Sequence, residues 1–257
     1  MRINFENDNQ SEMKKIKWEF TVFYVLTFVL TIFFAVGQQQ LGIDYEKITI
    51  PQFAPSIAAF LTGLIFVSSK SFLNFRVEKS NIPKFLMAFV LPILVFGLGF
   101  FLCQLFGVKT TITENLAQSL PLALVGMLVG AIGEEIGWRS FLQPNLEKSN
   151  SVLLSSIITG LMWGFWHIGH YKNGLFFMLG FLLFAVSASV VLRRILAETS
   201  NNLLISVLFH FSINICFVVF YKNSLTDSNM ILVNGALWAV VAIASFFIKS
   251  IEKQAIK

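Results

Sequence analysis

Two adjacent glutamates and an arginine, Glu134, Glu135 and Arg139, stand in the stretch AIGEEIGWRSFLQP, directly after the apolar run LPLALVGMLVG. An ionisable side chain inside a membrane span costs roughly 2.5–3.5 kcal/mol on insertion scales, so such residues mark function by default. The chain has only three histidines, and all of them fall in apolar surroundings: His167 and His170 in WGFWHIGHY, and His210 in LFHFSINI. Asn214 follows His210 by four residues. Residues four apart share a helix face, which pairs Glu135 with Arg139 and His210 with Asn214. Glu134 points about 100° away from Glu135. Arg139 therefore neutralises Glu135, with the acid in the favourable N-terminal position, and leaves Glu134 to face a polar cavity. A carboxylate, an imidazole and a His/Asn pair on three helices suit water-mediated hydrolysis. The base takes a proton from water, and hydrogen-bond donors meet the oxyanion.

Each feature also has a plainer reading. A Glu–Arg pair in a span serves helix packing as often as chemistry. A lone intramembrane histidine is more often a satisfied hydrogen-bonding residue than a catalyst, and His170 fits that description best. Trp163, Phe165 and Trp166 read as packing or interface aromatics. It is the coincidence of three polar clusters in one small bundle that points to a site.

The elements that must carry these residues follow from composition. Of 257 residues, 56% are hydrophobic and 13% charged, with a mean hydropathy of +0.73. A soluble domain carries about 25% charged residues, so the fold class is all-α: a polytopic membrane helix bundle. Bilayer-length apolar segments fall at roughly 18–37, 53–69, 84–107, 117–142, 151–171, 175–192, 203–221 and 230–248, eight spans in all. With both termini in the cytoplasm, fifteen basic residues lie inside and four outside, as the positive-inside rule requires. The net charge of +5 is thus loop charge, and no nucleic-acid partner is expected. Residues 1–17 read as a polar cytoplasmic tail and 18–250 as a single transmembrane bundle, with a catalytic core at about 116–221. The first span reads as a retained anchor, although AVG at 35–37 loosely resembles a signal-peptide cleavage site. Cys103 and Cys216 fall inside apolar segments as lone thiols.

At these residues the chain resembles the CPBP family of intramembrane proteases (CAAX protease and bacteriocin-processing, or Abi). These are bacterial relatives of the Ras-converting CAAX prenyl endopeptidase. The family's EExxxR, FxxxH and HxxxN/D motifs read here as Glu134-Glu135-Ile-Gly-Trp-Arg139, Trp163-Gly-Phe-Trp-His167 and His210-Phe-Ser-Ile-Asn214. The resemblance implies an eight-helix bundle with a core of the fourth to seventh helices and a site opening toward the cytoplasmic half. It implies that Glu134 and His167 activate water, that His210 and Asn214 stabilise the oxyanion, and that Glu135 and Arg139 support the site. Two positions depart from the pattern. Trp163 replaces the usual phenylalanine, a change expected to keep the packing role, and Ser140 stands where glycine is common. Neither is expected to touch the chemistry.

Depth raises a difficulty. At 1.5 Å per residue, Glu134 lies about 15 Å from Pro144 and His210 about 13 Å from Asn201, whereas His167 lies about 25 Å from Asn150. The three groups meet at one depth only if residues 150–156 run along or outside the membrane surface and the fifth span ends within the bilayer. Lys172-Asn173-Gly174 would then line a polar cavity.

The expected activity is endopeptidase cleavage of a peptide or a protein C-terminal segment at the membrane. The alternative is a non-proteolytic transporter or bacteriocin-immunity protein that uses the same cluster for binding. The expected partners are a membrane-associated peptide substrate and the bilayer of a bacterial cell. No cofactor is required by the pattern. Zinc, if present, would take Glu134, His167 and His210, since a catalytic site needs three protein ligands and an open position. Asn214 and the absence of an HExxH helix favour a metal-free mechanism.

Overall fold

In the computed structural model, each long apolar run of the described residues (2–45, 47–66, 73–112 and 116–255) is helical. Lipid offers backbone groups no partners, so a spanning segment must satisfy them internally. The elements are α1 (Arg2–Gln40), α2 (Ala54–Phe66), α3 (Ile82–Leu105), α4 (Leu116–Glu135), a π-helical stretch Ile136–Leu142, a single turn α5 (Gln143–Leu146), α6 (Val152–Trp166), α7 (Leu175–Ile195), α8 (Leu203–Tyr221) and α9 (Ser228–Ala255). The backbone is helical from Arg2, so the leader expected to be a loose tail continues α1 instead.

Among the described residues, six helical stretches are long and apolar enough to cross a bilayer, where eight spans are expected from the sequence. The two short ones are Ile50–Phe66 and Val152–Trp166. At 1.5 Å per residue, the 15 residues of α6 reach about 22 Å, against a hydrocarbon core of about 30 Å. The last residues of the expected second span, 67–69, lie outside the described residues.

The shortness of α2 has a local cause. After α1 the chain turns at Gly42, whose φ of 64° is open to glycine, and runs back along α4 before becoming helical. Four glycines of α4 and its π-helical continuation, Gly126, Gly130, Gly133 and Gly137, form the rail for this return. A Cβ on Gly126 would meet the Lys47 carbonyl, and one on Gly130 the Gln52 side chain. One on Gly133 would lie 2.6 Å from the Gln52 carbonyl oxygen, and one on Gly137 would meet Pro55. Irregular backbone at membrane depth is tolerated where protein covers it, and here Gln38 also satisfies it. Its buried amide donates to the carbonyls of Ile43 and Ile48 (3.3 and 2.7 Å) and accepts from Ile50 N (2.8 Å).

The remaining helices close on small residues, as expected where apolar burial alone does not distinguish neighbour from lipid. Gly180 of α7 faces Gly235 of α9, where a Cβ would come within 2.6 Å of the Gly180 carbonyl oxygen. Gly160 brings α6 against α7 in the same way. Two side-chain caps fix helix starts: Ser151 accepts from Leu154 N before α6, and Asn202 accepts from Leu204 N and Ile205 N before α8. Such caps contribute about 1 kcal/mol each. Phe96, Phe184, Phe217 and Trp238 pack edge-to-face at 4.9–5.9 Å and tie α3, α7, α8 and α9 together.

Candidate functional site

Glu134 and Glu135 are the last two residues of α4, and Arg139 lies in the π-helical stretch that follows. All three are at least 97% buried. Single π turns inside α-helices occur often at functional sites because the wider turn re-aims side chains. Arg139 Nε lies 3.6 Å from Glu135 Oε2, so the pair expected from spacing is present as an ion pair. It is not a hydrogen-bonded fork, since Arg139 Nε and Nη1 and Glu135 Oε2 have no hydrogen-bond partner. The guanidinium instead lies over the Trp163 ring, 5.2 Å from its centroid. The hydrogen bond of Glu135 goes to α8: His210 Nδ1 lies 2.9 Å from Glu135 Oε1. A carboxylate on one ring nitrogen fixes the orientation of the ring and aims the other nitrogen.

That other nitrogen faces Glu134. His210 Nε2 lies 4.0 Å from Glu134 Oε2, too far for a hydrogen bond, so it remains available. Glu134 is held from two further elements. Gln52 Nε2, on the short helical turn before α2, donates to Glu134 Oε1 at 2.9 Å. Trp163 Nε1, on α6, donates to Glu134 Oε2 at 2.7 Å. Trp163 therefore does more than the packing expected for it: its indole N–H donates to the Glu134 carboxylate, where a phenylalanine has nothing to offer. Its ring also packs against His210 at 5.5 Å.

His167 caps the C-terminal end of α6, one turn beyond Trp163. Its Nδ1 lies 2.8 Å from the Trp163 carbonyl oxygen. A carbonyl only accepts, so Nδ1 carries a hydrogen and Nε2 of the neutral ring is an acceptor. No hydrogen bond or ion pair joins His167 to Glu134 among the described residues; the imidazole nearest that carboxylate is His210. His170 stacks parallel to His167 at 5.6 Å and packs on Phe181 at 4.6 Å. Asn214, one turn along α8 from His210, is half-buried and makes no hydrogen bond within the described residues.

Glu134, His167, His210 and Asn214 all line one cavity of about 160 Å³, together with Gln52, Trp163 and His170. The spacing argument thus brought together the residues it named. The cavity's remaining lining includes Phe177 at the start of α7 and Leu225 and Met230 around the start of α9. It therefore extends toward the end of the bundle that carries the α6–α7 and α8–α9 connections. This is the end opposite the one expected from the resemblance, if the termini are taken as cytoplasmic.

The expected fifth span is short, as the depth argument requires, since α6 ends at Trp166. Residues 152–156 are its first turn, with Val152, Leu153 and Leu154 exposed and Ser155 and Ser156 buried against neighbouring helices. Gln143 Nε2 donates to Ser156 Oγ at 3.2 Å and sets the register of the two helices. From that level Glu134 is nine residues back and Trp163 seven forward, about 13 and 10 Å at helical rise, so the two meet. The helix then stops at Trp166, leaving His167 one turn beyond. Lys172 and Gly174 are exposed, and neither they nor Asn173 lines the cavity.

The donor set does not fit a metal. Both oxygens of Glu134 receive N–H donors, Nδ1 of His210 is taken by Glu135, and His167 stands a turn away. Among the described residues no three His, Cys, Asp or Glu side chains are grouped to hold an ion. Cys103 and Cys216 are buried free thiols.

Gln52 is the residue that sequence reasoning missed. Its motif-free segment lies 82 positions before its partner. The available signal was the glycine row of α4, spaced four, three and four apart on one helix face, which announces a close neighbour.

Residues 116–216 match the family model described as Type II CAAX prenyl endopeptidase Rce1-like. The chain is also similar to Lysostaphin resistance protein A of Staphylococcus aureus. It is 25% identical over 241 residues to the proteins of strains MRSA252, bovine RF122 / ET3-1 and Newman, and the match covers 91% of this chain and 57% of each relative. The chain thus spans little more than half the length of those relatives. The matched family segment contains Glu134, Trp163, His167, His210 and Asn214 and leaves out Gln52 and α9.

Proposed function

We propose that this integral membrane protein, which carries an Rce1-like segment over residues 116–216, is an intramembrane endopeptidase that uses water activated by Glu134. The observation that carries this reading is the convergence of a donor-held carboxylate, three imidazoles and an unpartnered amide on one small cavity. In this reading Gln52 and Trp163 fix the Glu134 carboxylate, and His167 Nε2 accepts one hydrogen of the attacking water. Glu134 takes the other proton as the water oxygen bonds to the peptide carbonyl carbon. The carbonyl oxygen becomes an oxyanion, which receives N–H from the Asn214 amide and from Nε2 of a protonated His210. The C–N bond then breaks, the leaving amine takes the proton from Glu134, and the carboxylate is regenerated. Glu135 orients His210, and Arg139 balances the charge of Glu135. The catalytic core occupies about 116–221 within a bundle of 18–250 in a bacterial cell membrane, with both termini cytoplasmic.

The test is cleavage of a quenched peptide library by the purified protein in detergent, with mass-spectrometric identification of the new ends. Defined products from internal bonds are expected. No cleavage of any member, by a protein shown to be folded, would contradict the reading. The name of the relatives favours one other reading: a resistance protein in which the same cluster binds a ligand or partner without hydrolysis. It is separated from the first by tight binding with no product.

A further inference from the structure

We infer that the apolar wall of the cavity is a subsite for one bulky apolar side chain, such as phenylalanine or leucine, of an unprenylated peptide. The inference rests on the peptidase reading and adds the substrate class. The cavity lining is of two kinds. Gln52, Glu134, His167, His170, His210 and Asn214 supply its polar groups. Phe177, Phe181, Phe184, Phe217, Ile213 and Met230 supply its apolar wall, which adjoins the polar groups where Phe181 packs on His167 and His170. A peptide seated here would lay its carbonyl along the polar groups and one neighbouring side chain against the apolar wall.

Volume sets the size of that side chain. At about 160 Å³, the space compares with cavities of roughly 150 Å³, lined by Leu, Ile and Phe, that hold one benzene ring. A phenyl ring or a leucine side chain is therefore the largest group it takes beside the peptide carbonyl. A farnesyl chain has more than twice the carbons of benzene and exceeds it. The wall is not readily widened, because Phe181, Phe184 and Phe217 are packed on one another at 5.7–6.0 Å and the first two are nearly fully buried.

Charge sets the polarity. Among the described residues no Lys, Arg or Asp lines the cavity, and the one carboxylate there is already engaged by two donors. A charged side chain entering here would lose its hydration without gaining a partner, a cost of several kcal/mol for a polar group and more for an ion. On the apolar side the one polar group is the His170 imidazole, itself packed on Phe177 and Phe181. Met230 and Leu225 close the space from outside the Rce1-like segment, so this specificity belongs to the chain rather than to the matched segment alone.

The test uses the full chain in detergent and a quenched peptide varied at one position beside the cleaved bond: Gly, Ala, Leu, Phe, Lys, Asp and S-farnesyl cysteine. Discrimination of about 10–200-fold per methylene-sized difference is typical of apolar pockets, so kcat/KM for Phe and Leu should exceed that for Gly, Lys and Asp at least tenfold. Phe217→Ala should shift the optimum toward a naphthyl side chain, and the wild-type series stands by itself if that variant does not fold. Equal rates across the series, or preference for the farnesylated peptide, would overturn the subsite while leaving the peptidase reading intact. Binding of the same peptides to Glu134→Gln, followed by thermal shift, keeps the two apart. If nothing is cleaved, the peptidase reading fails, and ranked binding with Phe and Leu on top still supports the subsite. Flat binding overturns it.

Discussion

Two cavities lie toward opposite ends of this bundle, and the larger is the less chemical. The one toward the α7–α8 connection has about 470 Å³ and is lined by Asn74, Arg76, Glu78, Ser140, Glu198 and Ser200, among others. Its acids and its arginine are exposed. It is built from backbone: Asn74 Nδ2 donates to the carbonyls of Thr199 and Ser200 at 3.1 Å, and Asn202 anchors the carbonyl of Arg76. Glu198, Ser200 and Asn201 are held at positive φ of 51–66° to make the turn. The smaller cavity has a third of that volume, yet its carboxylate is 99% buried and gripped by donors from two other elements. Buried charge is expensive unless it is satisfied, so a satisfied intramembrane carboxylate facing open space marks function more surely than size does.

This comparison breaks if the polar end matters more to turnover than the small cavity does. The largest effect is expected from Glu134→Gln, which keeps the shape but removes the base and leaves one of the two N–H donors, Gln52 or Trp163, without an acceptor. A general base contributes about 10²–10⁴ in rate, so kcat should fall by that range, with a lower melting temperature from the one orphaned donor but a folded protein. Asn214→Ala should come next, with about 10²–10³ lost in kcat and little change in KM, as for removal of one oxyanion donor. A matching loss in KM would make Asn214 a ground-state contact instead.

Gln52→Leu and Trp163→Phe each remove one N–H donor from a carboxylate, a bond of about 1.5–3 kcal/mol. Each should lower kcat/KM by roughly ten- to a hundredfold, since 1.4 kcal/mol is a factor of ten. If Trp163→Phe is silent, the indole is packing and the expectation first drawn from the motif is restored. Arg139→Ala should act on stability first, by about 3 kcal/mol, the low end for a broken buried pair, because His210 still holds Glu135. An unchanged melting temperature would show that the guanidinium, lacking hydrogen bonds at two nitrogens, contributes little. Smallest of all is Glu198→Ala at the other cavity. Its side chain is 82% exposed in a loose pair with Lys84, and it should change stability by less than about 0.5 kcal/mol and leave kcat/KM unaltered.

The parts of this account that were legible in the sequence are those carried by local spacing. Apolar runs gave the helices, and the i, i+4 rule paired Glu135 with Arg139 and put His210 and Asn214 on one face. What stayed hidden depends on contacts between distant segments. Nothing local marks Gln52 as a donor to Glu134; only the glycine row on α4 brings residues 47–55 close enough. The motif comparison treated Trp163 as one aromatic for another, because a pattern of residue classes does not record which atom points where. The expected span 151–171 is longer than α6 because WHIGHY holds no acid, lysine or proline to stop it, while the backbone leaves the α-helix at His167 and takes a 3-10 turn through Ile168–Asn173.

The central claim is that Glu134 is the base for peptide hydrolysis, and the most direct measurement compares single-turnover cleavage of one defined peptide by wild type and Glu134→Gln at a temperature where both are folded. The account predicts product from the wild type and a rate lowered at least a hundredfold in the variant, with peptide binding retained. Equal rates in the two proteins would remove Glu134 from the chemistry and contradict the account.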